Sequence, residues 1–197
     1  MKRLLSILAL LSLLTPALMA QYPHFREWGF YGTASYTMMT SFTSYKIGHP
    51  TVTLNGVQLT GGFQIRRQTC VELGVAFLAH NRNTFTQVPI TIGLRTHYLD
   101  RRITPFTELY VGYAIPLKKT GPTTNEATTM KVNTMGVTAG LNIGARYTVT
   151  RRFCLNLYVG WNLYMNNYYT IYDANKLPIA EGSWLAHNFR FGLGAMF

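Results

Sequence analysis

Glu72, Arg95, Glu108, Arg146 and Arg190 hold the most chemical potential in this chain, because each charge lies on the polar side of a segment whose other side is apolar. Two carboxylates and three guanidinium groups facing one confined space should form hydrogen-bonded ion pairs, since an unpaired charge there is costly. His97 lies two residues beyond Arg95 on the same face and joins that expected network. Such a network can act as a plug that fills an interior and blocks ions, or as a gate whose pairs rearrange to open a narrow pore. The plug is the favoured reading.

A second set consists of adjacent arginines: Arg66 and Arg67 in "IRRQTCVEL", Arg101 and Arg102 in "LDRRITPF", Arg151 and Arg152 in "TRRFCLNL". A guanidinium group binds phosphate in a bidentate manner, so Arg67, Arg101, Arg102, Arg151 and Arg152 are expected to meet phospholipid head groups along one rim. The plainer reading is that turns need solvated residues and arginine supplies them.

Catalysis finds less support. A nucleophile needs a base within hydrogen-bond reach, yet His24, His49, His80, His97 and His187 form no local signature with Ser35, Ser41, Ser44 or Ser183. No catalytic residue is assigned, and a lipid-modifying enzyme is the third choice of function. No His/Cys/Asp cluster has ligand spacing, so no metal or other cofactor is expected. Cys70 and Cys154 fall at the starts of opposite segments, beyond disulfide reach, and are expected as two free, buried thiols.

The elements that must position these residues follow a period of two. In "VQLTGGFQI" (57–65), Val57, Leu59, Gly61, Phe63 and Ile65 alternate with Gln58, Thr60, Gly62 and Gln64. The same alternation runs through 71–78, 88–98, 109–115, 137–147 and 154–165, and ends with Phe189, Phe191, Leu193, Ala195 and Phe197 on one face. With a first strand over 28–42, eight strands result, each greasy on one face and polar on the other. Tight turns at 66–69, 100–102 and 150–152 alternate with longer polar stretches at 43–56, 80–87, 116–133 and 169–184. That is the arrangement of an up-and-down antiparallel transmembrane barrel, with short periplasmic turns and four longer extracellular loops.

The polar parity carries the charges together with many glycines, which suits a crowded narrow lumen. The apolar parity spans about five positions per strand, the height of a hydrocarbon band. Closure is then required, because lipid cannot satisfy an open strand edge. Aromatic residues gather near strand ends, with Trp28, Phe63, Tyr98, Tyr147, Phe153 and Phe197 toward the turns and Phe77, Tyr113 and Trp161 toward the loops. Together they match two interfacial girdles.

Residues 1–20, with Lys2, Arg3 and an apolar run from Leu4 to Leu14, read as a secretory signal peptide, which leaves 21–197 as one barrel domain. Its removal takes the formal charge from +11 to +9. Six of the remaining cationic residues sit in the turns and three in the lumen, so no contiguous basic face exists and nucleic acid is not an expected partner.

The stretches "TPFTELYVGYAIP" (104–116), "GLNIGARYTVTRRF" (140–153) and "FRFGLGAMF" (189–197) resemble the small eight-stranded outer-membrane barrels of the OmpX/OmpA type and the PorT-like outer-membrane β-barrel domain. The resemblance covers the whole mature chain, and its motifs are architectural. It implies residence in the outer membrane of a Gram-negative bacterium, contact with its lipids and lipopolysaccharide, and a monomer. It also implies delivery to the barrel-assembly machinery through a terminal signal at Phe189, Phe191, Leu193 and Phe197. The expected role is structural or surface-interacting: membrane integrity, adhesion, or service to a secretion system through an unidentified protein partner. A narrow gated channel for ions or small solutes is the alternative.

Overall fold

Strict alternation forces one face of every strand inward and the other outward, and the computed structural model of the chain shows how that pattern closes. It describes residues 29–41, 53–66, 68–80, 85–99, 101–119, 129–134, 136–150, 153–173 and 175–197. The signal-peptide reading of 1–20, and Trp28, lie outside them.

Nine strands form: β1 Gly29–Ser41, β2 Thr53–Arg66, β3 Thr69–His80, β4 Phe85–His97, β5 Ile103–Lys119, β6 Thr129–Thr134, β7 Val137–Thr150, β8 Phe153–Tyr172 and β9 Pro178–Met196. Eight of them make an antiparallel barrel in which each pairs with the next and β9 returns to β1. The short β6 lies outside that ring and pairs with the far end of β8.

The described parts of the 116–133 and 169–184 stretches therefore carry more strand than their composition suggests. β5 continues to Lys119, β6 fills 129–134, and β8 and β9 stay paired from Asn167↔Trp184 to Tyr172↔Pro178. Cross-strand hydrogen bonding outweighs the polar, Thr- and Asn-rich composition of these segments. The resulting three-stranded ribbon ends in a tight turn. There Asp173 Oδ1 accepts from the backbone N–H groups of Asn175 (2.9 Å) and Leu177 (2.8 Å), and Lys176 takes a left-handed φ of 62°. At the other end of the barrel, Arg66↔Thr69 and Thr150↔Phe153 close the expected tight turns, each beside a register shift.

Register fixes how far the barrel is sheared. The ladder row that leaves β3 at Cys70 passes through Arg95, Glu108, Asn142, Gly160, Arg190, Met39 and Leu54, and returns to β3 at His80, ten residues further along. A closed sheet with such stagger must tilt its strands, by about 35–45° in barrels generally.

Inward positions are filled rather than hollow. Near the loop end Met39, Leu54, Ala76, Leu78, Ala114, Tyr164 and Ala186 form an apolar cluster. Toward the turn end the buried interior is polar, and it includes Glu72, Arg95, His97, Glu108, Arg146 and Arg190.

Candidate functional site

Three inward tyrosines organise the polar part of the lumen, and each lies opposite a glycine of the neighbouring strand. Tyr31 pairs with Gly62, Tyr110 with Gly140 and Tyr158 with Gly192. A methyl group on any of these glycines would strike the facing ring, so glycine gives the ring room to lie along the wall. Each ring then delivers its hydroxyl to an inward polar partner on another strand. Tyr31 donates to Glu72 Oε1 at 2.5 Å, Tyr110 donates to Asn162 Oδ1 at 2.9 Å, and the Tyr158 hydroxyl accepts from Arg190 Nη2 at 3.3 Å.

Arg95 is the hub of the charges. Its Nε lies 3.2 Å from Glu72 Oε1 and its Nη2 lies 3.1 Å from Glu108 Oε2. Its guanidinium also rests 4.6 Å from the Phe106 ring centroid, a cation–π contact. Asn142 Nδ2 donates to the same Glu108 oxygen at 3.2 Å. One guanidinium therefore bridges two carboxylates in a site where all three are buried.

Arg190 behaves differently from the expected single network of five charges. It donates to Gln58 Oε1 and to Tyr158, and its guanidinium stands 5.1 Å and 5.2 Å from the Tyr110 and Tyr158 ring centroids. The register explains the separation. Arg190 shares a ladder row with Arg95 and Glu108, but that row climbs around the barrel, so its hydrogen bonds reach β2 and Tyr158, while Glu72 and Glu108 feel its charge through space. Arg146 is buried on β7, opposite Thr104 and Asn156 in register. His97 is fully buried and lies 3.9 Å from Cys70 Sγ, with its ring 5.9 Å from that of Phe106. Both cysteines are free; Cys70 is buried as expected, while Cys154 at the strand end is only partly so.

Above the charges, Gln87 Nε2 donates to the Tyr164 hydroxyl at 3.0 Å, and Thr138 joins Tyr110 in donating to Asn162, at 2.9 Å. Of the arginine pairs, Arg101 is exposed and Arg102 sits 5.1 Å from the Tyr147 ring centroid; Arg67, Arg151 and Arg152 lie outside the described residues. Phe189, Phe191, Leu193 and Phe197 all face outward on β9 or just past it, and the Phe197 ring lies 5.6 Å from that of Phe153.

Sequence reasoning missed Tyr31, Gln58, Tyr110, Tyr158 and Asn162. Their parity was legible, but the signal that matters is a tyrosine facing a glycine across a ladder, and that requires the register. Among the described residues, no group of three or more His, Cys, Asp or Glu side chains could hold a metal ion.

No family model matches the chain, and no curated protein matches it as a relative. Its fold is similar to two solved structures. One is Neisserial surface protein A (NspA), with 12% identity over 87% of this chain and 98% of that one, at a TM-score of 0.57. The other is the outer membrane protein OprG from Pseudomonas aeruginosa, with 13% identity over 88% of this chain and 97% of that one, at a TM-score of 0.56. At such identities the likeness speaks to architecture alone, and what it gives is a closed, eight-stranded antiparallel β-barrel.

Proposed function

We propose that the chain is an integral barrel of the outer membrane of a Gram-negative bacterium, with a plugged polar lumen and a structural or surface-interaction role. The observation that carries this reading is the inversion of burial. Leu59, Leu73, Phe77, Leu109, Trp161 and Leu193, spread around the outside, each leave more than half of their surface exposed, while charged and amide side chains are buried within. A continuous apolar belt of that extent is unstable in water and suited to hydrocarbon. Closure of the sheet satisfies the backbone groups that lipid cannot.

In this setting Arg101 and Arg102, with Arg67, Arg151 and Arg152, meet phospholipid head groups at the turn end, and the opposite end faces lipopolysaccharide. The outward series Phe189, Phe191, Leu193 and Phe197 on the closing strand is the handle for the barrel-assembly machinery. The ribbon beyond the barrel, with Leu177, Pro178, Ile179 and Ala180 exposed, supports a surface-interaction role such as adhesion or service to a secretion system.

The reading is tested by conductance of the refolded protein in a planar bilayer, with a mobility shift between unheated and boiled samples as the check on folding. A silent folded barrel is the expected result. The Arg95 bridge favours one competing reading, a narrow gated channel. Steady small conductance that rises in Glu108→Gln would replace the plug with that gate.

A further inference from the structure

The bulge that ends β2 sets Arg66, and not Ile65, opposite Thr69. From there the register carries one outward row from Arg66 through Thr69, Thr96 and Thr107 to Ile143. Arg66 is exposed and the three threonines are half-buried, next in sequence to the inward Cys70, Arg95 and Glu108. Hydroxyls side by side are out of place on this surface. Leu94 and Leu109 flank them on the loop side, and Tyr98, Leu99 and Ile103 lie on the turn side, all exposed. Thr107 is answered within the protein, by the Tyr98 hydroxyl at 2.7 Å. No side chain among the described residues does the same for Thr69 or Thr96, and no acidic group among them pairs with Arg66.

The stagger gives this row a slope. It climbs toward the loops, as the row from Cys70 to His80 does. With strands about 4.8 Å apart and tilted by about 40°, the rise is about 3 Å per strand. Thr96 therefore lies about 6 Å deeper than Arg66, close to the depth of the head-group layer on one side of a bilayer.

We propose that this row is a docking site for one glycerophospholipid of the leaflet at the turn end, with its phosphate on Arg66 and its ester carbonyls on Thr69 and Thr96. The site rests on the reading of the barrel's outside as a membrane belt. The match is one of chemistry as well as depth. A guanidinium group suits the phosphate anion at the level of water. Ester carbonyls only accept, and they stand where the hydrocarbon begins, which is where a threonine hydroxyl without a protein partner needs an acceptor. A level row would put all these groups at one depth and could not follow a lipid from its phosphate to its glycerol esters. The acyl chains then continue into the belt over Val71 and Leu94. The outward threonine pair at the loop end differs, because Thr40 and Thr53 have Phe189 as their neighbour in the row.

The test is native mass spectrometry of the refolded barrel in a sugar-headed detergent, titrated with dipalmitoyl phosphatidylglycerol or with its diether analogue. The analogue keeps the phosphate and lacks both carbonyls. The expected result is one retained lipid, with the diester favoured over the diether by about tenfold, the worth of two hydrogen bonds. The double variant Thr69→Val with Thr96→Val preserves side-chain shape and should lose that preference, while Thr40→Val with Thr53→Val should keep it. Arg66→Gln should weaken both lipids alike and leave their ratio in place. Equal retention of the two lipids by the natural protein, or a preference that survives in the Thr69 and Thr96 variant, would overturn the proposal. Flotation with liposomes tests the membrane reading separately, so a barrel that floats without telling the two lipids apart loses this site alone.

Discussion

The two halves of the lumen are filled by opposite means. Toward the turns, Glu72, Arg95 and Glu108 fill the space with matched charges. Toward the loops, Met39, Leu54, Leu78 and Tyr164 fill it with volume. An ionic filling works only while every member keeps its partner, because a charge left alone in a buried site is worse than none. An apolar filling loses in proportion to the atoms removed, plus a term for the cavity left behind. The contrast makes the polar half the more brittle and the apolar half the more forgiving.

The largest expected effect breaks the polar half at its hub. Arg95→Met leaves Glu72 and Glu108 without their shared cation and should lower stability by about 3–5 kcal/mol, read from the urea midpoint of barrels refolded into vesicles. An unchanged midpoint would mean that Arg95 is not the hub. Replacing all three members together, with Glu72→Gln and Glu108→Gln added to Arg95→Met, should recover most of that loss. Recovery is what separates matched charge from simple packing.

In the apolar half, Leu78→Ala should destabilise by about 2–5 kcal/mol, toward the lower end if neighbouring side chains collapse into the space. Its more telling readout is conductance. If the loop-end cluster is the tighter seal, Leu78→Ala makes a silent barrel conduct, and if the ionic half seals on its own the trace stays flat. A gentler probe is Tyr164→Phe, which removes the hydroxyl that accepts from Gln87 and should cost about 1 kcal/mol in the same unfolding assay.

The smallest effect sharpens the comparison most. Arg95 and Leu78 share no partner among the contacts described, so the losses of Arg95→Met and Leu78→Ala should add to within about 0.5 kcal/mol. A larger coupling energy would show the lumen to be one cooperative filling with two textures.

Much of this division was legible from parity alone. Alternation placed Glu72, Arg95, Glu108, Arg146, Arg190 and Leu78 on one side before any pairing was known. Parity says which face a side chain occupies and nothing about what it meets across the lumen. The partners of Arg190 followed from a ten-residue stagger that accumulates around eight pairings, none of which is encoded locally. The tyrosine–glycine oppositions were hidden for the same reason. Tyr31 meets Gly62, and Tyr158 meets Gly192, across more than thirty residues of chain. The ribbon was missed differently: Thr170 pairs with both Lys131 and Glu181, a polar row that holds together through backbone bonds and not through its side-chain pattern.

One pairing closes the barrel across the longest stretch of chain. Gly32 and Phe197 exchange reciprocal backbone hydrogen bonds, Gly32 N–H donating at 3.1 Å and Phe197 N–H at 2.8 Å, and they end the seam between β1 and β9. The first of the described strands is thus bound on one side by the last of them. Until β9 pairs with it, that edge is open to any passing strand, its own or another chain's. Trimming Phe197 would remove that reciprocal pair while leaving the register from Thr33↔Met196 to Ser41↔Asn188 in place.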